Sequence, residues 1–157
     1  MALDAQIQEL VDKAGIREVM MRYARGIDRR DMDLIASTFT SDAYAKYGER
    51  ESCGRDDIVS ALRSSTSRFD RSTHSMGDQQ VSISGDTAEV ETYAIDYLLY
   101  TVDGKQYQAV GGLRYEDKMV RHDGGWLVQH RVLQIDWRRN SPVDPSVPGI
   151  DRVPARE

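Results

Sequence analysis

The N-terminal segment of the chain repeats its apolar residues at the spacing of an amphipathic helix. These residues predict one continuous stripe on a helix with a period of 3.6, and they are Ile7, Leu10, Val11, Ala14, Val19, Met20, Tyr23, Ala24 and Ile27. Polar and charged residues fill the opposite face, so the helix is expected to lie on a core. Asp28 follows the last residue of the stripe. It is therefore either a cap for the next element or a carboxylate aimed into a cavity.

Short elements are predicted between this helix and residue 72. They are a helix over residues 29–39, a strand over 43–47, a polar turn at 48–51, a helix over 54–62 and an exposed polar loop over 63–71. Asp28 or Asp31 can cap the first of these helices, and Asp56 or Asp57 suits the N-terminus of the second.

From residue 72 onward the pattern alternates with a period of two, which is typical of strands. Turn sequences at Gly85-Asp86, Asp103-Gly104 and Asp123-Gly124-Gly125 separate four long strands, and Gly111-Gly112 predicts a bulge or sharp bend. Helices followed by a curled antiparallel meander predict one α+β domain over residues 1–139. Residues 140–157 contain all four prolines and are expected to form an irregular tail. A strongly bent sheet with helices across its concave side leaves a cavity suited to a small apolar ligand.

Composition narrows the class of protein. A chain of 157 residues can bury a core without metals or disulfides. The net charge of -5, with acids and bases mixed, argues against nucleic-acid binding. The single cysteine, Cys53, cannot form an internal disulfide, which fits a reducing compartment. We find neither a membrane-length apolar run nor a signal-peptide pattern, so a cytoplasmic protein is expected.

Three histidines are the first candidates for chemistry near neutral pH. His122 lies beside a turn sequence and is expected to be solvated, while His130 lies within the last strand, where a core or interface histidine is the better interpretation. His74 lies near the start of a strand, at the expected mouth of the sheet. A lone histidine is more often structural than catalytic, so position alone does not decide its role.

Two charged residues are predicted to face the apolar side of the sheet. Asp96 shares its face with Ala88, Val90 and Ala94, and a buried carboxylate is costly unless it is paired. It is therefore either satisfied by a tyrosine or an arginine, or a polar group of the pocket wall. Arg131 presents the same choice on the last strand. The sequence contains no recognisable metal site, glycine-rich phosphate loop or Ser-His-Asp arrangement, so neither a metal nor a cofactor is expected.

The opposite face of the strand that carries Asp96 is also apolar. Its residues are Tyr93, Ile95, Tyr97 and Leu99. A sheet with two apolar faces is expected to pack its outer face against another subunit, so a homo-oligomer is predicted.

Several segments together resemble the SnoaL-like branch of the nuclear-transport-factor-like superfamily. They are residues 16–47, from Ile-Arg-Glu through Tyr-Ala-Arg-Gly-Ile-Asp to Phe-Thr-Ser-Asp-Ala and Tyr47, then Thr73-His-Ser-Met-Gly77, Gly85-Asp-Thr-Ala-Glu-Val90, and Tyr115-Glu-Asp-Lys118 with Asp123-Gly-Gly-Trp126. The resemblance implies a cone-shaped α+β barrel, in which three N-terminal helices pack on a strongly curved, mostly antiparallel sheet that encloses a pocket. It also implies a dimer or a trimer, with the trimer favoured.

The resemblance further implies roles for individual residues. In the dehydrochlorinase of this family, an aspartate at the end of the first helix orients a histidine base, and Asp28 and His74 match those two positions. Arg131 falls where that enzyme carries a pocket arginine. Tyr23 and Asp96 resemble pocket residues of a bile-acid dehydratase, and Tyr47 resembles a catalytic tyrosine of scytalone dehydratase. That last enzyme uses a further histidine where this chain reads residues 93–100, so its full mechanism does not transfer.

These residue types suit an elimination reaction. The resemblance implies a cofactor-independent lyase that dehydrates or dehydrohalogenates a small, largely apolar cyclic substrate, with His74 as base and Asp28 as its orienting partner. An isomerase or a polyketide cyclase would use the same enolate chemistry without a leaving group. A non-catalytic subunit that binds a small ligand or serves in assembly is the alternative from another class.

Overall fold

The computed structural model describes residues 3–144 and residue 146, and it begins with two helices joined by a tight turn. Helix α1 spans Leu3–Arg29 and helix α2 spans Met32–Ala36. Arg30, which lies between them, adopts a positive φ of 54°. Asp31 is the N-cap of α2, since its carboxylate accepts a hydrogen bond from the Leu34 N–H at 3.0 Å. Of the two candidates, Asp31 is therefore the cap of α2, and the carboxylate of Asp28 is available for another contact.

Six strands form one sheet. They are β1 (Phe39–Tyr47), β2 (Arg50–Cys53), β3 (Arg71–Ser84), β4 (Thr87–Val102), β5 (Lys105–His122) and β6 (Gly125–Pro142), in the spatial order β2-β1-β6-β5-β4-β3. Only the pairing of β1 with β6 is parallel. The register between β5 and β6 shifts after Gly112, which confirms the predicted irregularity at the two glycines.

Helix α3 (Arg55–Thr66) packs with α1 and α2 on the sheet, and the core lies between the helices and the strands. Fully buried core residues come from both layers, and they include Ile16, Met20, Tyr23, Ile35, Phe39, Ile58, Tyr115, Met119 and Val128. Three helices on a strongly curved, mostly antiparallel sheet confirm the predicted cone-shaped α+β fold.

The first half of the predicted helical stripe is wrong. Ile7, Leu10 and Val11 are 49%, 68% and 59% exposed. At this end of α1 the residue turned toward the sheet is Asp12, which is buried and bonded to Arg121 at 2.8 and 3.0 Å. The helix therefore meets the β5–β6 hairpin through an ion pair, and its apolar packing begins only at Ile16.

Several predicted boundaries also shift. The second helix is shorter than predicted, because β1 already begins at Phe39, and strand β2 begins within the predicted polar turn and continues to Cys53. Helix α3 continues to Thr66, into the segment predicted as an exposed loop. Strand β6 runs to Pro142, into the predicted tail, while residues 145 and 147–157 of that tail lie outside the described residues. None of the helices in the described range is long and apolar enough to cross a membrane.

Candidate active site

A cavity of about 370 Å³ lies between the concave face of the sheet and the ends of α1 and α3. Most of its wall is apolar and comes from both layers, with Ile27, Ala61, Leu62, Phe69, Leu98, Leu113 and Leu133 among its residues. Polar side chains also line the cavity, and they include His74, Tyr23, Tyr47, Asp96, Arg138, Arg50, Arg68 and Ser72. A mostly apolar cavity with a few convergent polar groups is typical of a site for a small molecule.

His74 and Asp28 form a hydrogen-bonded pair at the cavity wall. His74 Nδ1 lies 2.7 Å from Asp28 Oδ1, although the two residues are 46 positions apart in the chain. The backbone N–H of His74 donates to Asp28 Oδ2 at 2.8 Å, and the Ser72 hydroxyl donates to Oδ1 at 2.9 Å. Both residues on β3 thus hold the carboxylate that ends α1, and the carboxylate fixes the orientation of the imidazole ring.

The electrostatics of the pair define its tautomer. Burial by itself would raise the pKa of Asp28, but the hydrogen bonds from His74 and Ser72 outweigh burial and hold the pKa below its ordinary value of 3.8. Asp28 is therefore an anion near neutral pH and can only accept hydrogen bonds. Nδ1 of His74 must carry the proton, so the neutral ring keeps its lone pair on Nε2, which has no hydrogen-bond partner within the described part of the chain.

Two tyrosines present hydroxyl groups near each other in the same cavity. The Tyr23 hydroxyl donates to the Tyr47 hydroxyl at 3.0 Å, and both residues line the wall. Burial is the main reason that the pKa of each phenol is raised, so both stay protonated. Because Tyr47 accepts the bond from Tyr23, its own O–H remains available to donate to a ligand.

Arg131 lies behind these tyrosines and is not among the residues that line the cavity. Its guanidinium is fully buried and is bonded to Asp117 through Nε and Nη2, both at 2.7 Å. It packs over the rings of Tyr23 at 4.2 Å and Tyr115 at 4.8 Å. Burial opposes its charge, but Asp117 outweighs burial and raises the pKa of Arg131, so the cation persists. In this geometry Arg131 positions the tyrosines.

Asp96 both lines the cavity and is paired, so it combines the two interpretations that the sequence left open. Its Oδ2 accepts a hydrogen bond from Arg138 Nη2 at 2.8 Å, and Asp96 is 4% exposed. Sequence reasoning missed Arg138, because the last strand was predicted over residues 126–137 and ends one residue before it. The strand register explains the contact, because Asp96 on β4 and Arg138 on β6 both pair with Gly111 on the strand between them.

The other two histidines lie away from the cavity. His122 is exposed on the β5–β6 hairpin, where its Nδ1 lies 3.3 Å from an Asp123 carboxylate oxygen. His130 is half-buried and stacks on Tyr44, with ring centroids 4.8 Å apart. Within residues 3–144 and 146, no cluster of three or more histidine, cysteine, aspartate or glutamate side chains is arranged to hold a metal ion.

Comparison with known proteins identifies the family of the chain. The model of the SnoaL-like domain matches residues 8–132. The protein Rv2910c of Mycobacterium tuberculosis is 29% identical over 130 residues, which cover 80% of this chain and 86% of that protein.

Solved structures share the fold. A candidate scytalone dehydratase from Novosphingobium aromaticivorans superposes with a TM-score of 0.79 at 21% identity, covering 88% of this chain and 93% of that one. Hexachlorocyclohexane dehydrochlorinase LinA-type3 from Novosphingobium barchaimii superposes with a TM-score of 0.75 at 19% identity, covering 95% of this chain and 99% of that one. With the family model spanning most of its length, this chain belongs to the SnoaL-like domain family.

Proposed function

We propose that the protein is a cofactor-independent lyase that acts on a small, largely apolar cyclic substrate, with His74 as general base. The observation that carries this proposal is the 2.7 Å contact between His74 Nδ1 and Asp28 Oδ1 at the wall of an apolar cavity. A histidine that only fills space needs no ionised partner, whereas such a partner assists a base by fixing its tautomer and stabilising the imidazolium that forms. Structural relatives that include a dehydrochlorinase support an elimination.

The proposed reaction breaks two bonds and forms one carbon–carbon double bond. Nε2 of His74 removes a proton from the substrate carbon, and the electron pair of that C–H bond becomes the new π bond. The leaving group, either hydroxide or halide, departs from the neighbouring carbon with its bonding electrons. Asp28 stabilises the imidazolium, and the Tyr47 O–H donates to the oxygen or leaving group on which negative charge develops.

The same residues support an isomerase or cyclase, since these enzymes also begin with removal of a C–H proton. Exchange of substrate C–H for deuterium in D₂O measures that shared step without requiring a leaving group. Cyclic ketones with an acidic α-hydrogen, such as α-tetralone, are suitable probes. Formation of an alkene from β-hydroxy or β-chloro cyclic ketones then distinguishes a lyase from an isomerase or a cyclase.

The test compares His74→Gln and Asp28→Asn with the unmodified protein. Both changes should lower the rates of exchange and of elimination. His74→Gln should lower them by about 100- to 10,000-fold, since this is the usual contribution of a general base. His130→Gln is the matched control, because it removes a histidine that lies outside the cavity. If His74→Gln retains full activity, His74 is not the base and the proposed mechanism fails. If ligands bind but none reacts, a binding subunit is the better assignment.

We also propose that the outer face of the sheet packs against a second copy of the chain in a trimer or dimer. Tyr93, Tyr97 and Trp137 are each about half exposed, at 52%, 49% and 51%. Sedimentation or gel filtration at micromolar concentration is expected to show an oligomer, and Tyr97→Asp should shift it toward the monomer. A monomeric unmodified protein would contradict this part of the proposal.

A further inference from the structure

The charged side chains that line the cavity are mainly cationic. Among the described residues, and apart from His74, they are three arginines, Arg50, Arg68 and Arg138, and one carboxylate, Asp96. The whole chain has the opposite bias, because it contains 26 acidic residues and 21 lysines and arginines. Arginines still exceed carboxylates when the ionised Asp28, which is bonded to His74, is counted. A surplus of one sign of charge in a concave, largely apolar site attracts ligands of the opposite sign.

Two of these arginines lie where the cavity opens to solvent. Arg50 begins β2 and Arg68 lies two residues beyond the end of α3, and both are exposed although they line the cavity. Other lining residues form the interior, since Tyr23, Asp96 and Leu113 are 2%, 4% and 2% exposed. The cavity therefore has a largely apolar interior and a cationic mouth, formed by Arg50 and Arg68.

The guanidinium groups at the mouth keep most of their hydrogen-bonding capacity. Arg50 Nη2 lies 3.7 Å from Asp57 Oδ1, which is beyond hydrogen-bond range. Arg68 reaches Ser65 through long contacts, 3.5 Å to the backbone oxygen and 3.4 Å to the hydroxyl. Within residues 3–144 and 146, neither guanidinium makes a shorter polar contact. Their N–H groups are therefore available to a ligand, and the planar fork of an arginine matches a carboxylate or a phosphate.

We propose that Arg50 and Arg68 bind an anionic group of the substrate, a carboxylate or a phosphate, while its ring lies in the interior of the cavity. The inference rests on the proposed function only in taking this cavity to be the substrate site. It narrows the substrate class from apolar rings to amphipathic ones, in which a short arm joins the ring to an acidic group. Arg50 and Arg68 are specificity-determining residues in this proposal, and neither takes part in proton transfer.

The test measures the binding of three probes by calorimetry at low ionic strength. They are γ-naphthylbutyrate, its uncharged amide γ-naphthylbutyramide, and naphthylpropyl phosphate. The butyrate should bind about 3- to 30-fold more tightly than the amide, because exposed ion pairs are individually weak and two arginines contribute. Salt at about 0.5 M should remove most of this preference, since it screens exposed charges. A butyrate that binds at least as tightly as the phosphate identifies a carboxylate as the anion, and the reverse order identifies a phosphate.

A double variant locates the preference at the mouth. Arg50→Gln/Arg68→Gln should lose most of the preference for the butyrate over the amide. The matched control is Arg25→Gln/Arg63→Gln, which makes the same change in net charge at two exposed arginines that do not line the cavity. All four side chains are exposed, so both variants are expected to fold, and the control should keep the preference.

Equal affinity for the butyrate and the amide, or no binding of either anion, would overturn the proposal. These results come from the unmodified protein, so they stand even if a variant fails to fold. A preference that survives in Arg50→Gln/Arg68→Gln, or that falls equally in the control, would also overturn it. If the anion preference holds and the protein catalyses neither C–H exchange nor elimination, the anion site stands and the lyase assignment fails. If elimination occurs without any preference for an anion, the lyase assignment stands and the anion site fails.

Discussion

The buried ion pair behind the tyrosines allows a prediction about stability that needs no substrate. Asp117 and Arg131 have side chains that are 0% exposed, and they are joined by two hydrogen bonds of 2.7 Å. Asp117→Leu would leave the guanidinium charged among the rings of Tyr23, Tyr115 and Phe39. Breaking such a pair from one side costs about 3–5 kcal/mol.

The size of this loss follows from what remains around the arginine. Nη2 also contacts the Met20 sulfur at 2.9 Å, but Nη1 is buried without a partner among the described residues. Neither a thioether nor an aromatic face replaces a carboxylate, so the charge stays uncompensated. Since a domain is stable by only about 5–15 kcal/mol, the variant should lose a large part of its stability.

Removing both charges should restore most of that stability. The free energy of unfolding of the double variant Asp117→Leu/Arg131→Met is expected to lie within about 1 kcal/mol of that of the unmodified protein. A buried ion pair stabilises a fold little more than apolar residues of similar volume do. Urea unfolding followed by circular dichroism, at one protein concentration throughout, measures both variants. A loss below about 1 kcal/mol in the single variant, or equal losses in the single and double variants, would refute the reasoning.

Three further predictions concern other parts of the molecule. Asp12 accepts hydrogen bonds from Arg121, and these lower the pKa of Asp12 from 3.8 to about 2. The ionised carboxylate therefore stabilises the fold above pH 3.8, and this contribution is lost as the pH falls toward 2. Asp12→Asn should weaken the dependence of the urea unfolding midpoint on pH in this window. Gly111→Ala should cost about 1–3 kcal/mol in urea unfolding, because its Cβ overlaps the Asp96 carboxylate, whereas Gly125→Ala meets only an ordinary 3.7 Å contact and should cost less. In nitrogen-detected NMR, Asp28→Asn should disturb the single tautomer of the neutral His74 ring, and an unchanged tautomer would show that the carboxylate does not set it.

Much of the fold could be predicted from local pattern. The change of period from 3.6 to 2 near residue 72 separates helices from strands, and the turn sequences at residues 85, 103 and 123 fall at the three hairpins. These signals are local because backbone geometry and turn chemistry depend on neighbouring residues. The exposed N-terminal turns of α1 show the limit. Their apolar spacing is helical, but whether a helix face meets a core depends on what the sheet presents to it, which here is Arg121.

The candidate residues were also recognisable from the sequence, mainly through family resemblance, but their partnerships were not. Asp28 and His74 are 46 positions apart, and only the packing of α1 across β3 brings them to 2.7 Å. Burial alone does not say whether a charged residue faces a cavity or supports its wall, so Arg131 and Asp96 were indistinguishable until their partners were known. Arg138 was invisible because its position opposite Gly111 depends on strand register, and register is fixed by the whole sheet. The sequence by itself determined most of the elements and the candidate side chains, while the tertiary structure decided which of them meet, because contacts between distant segments depend on the assembled core.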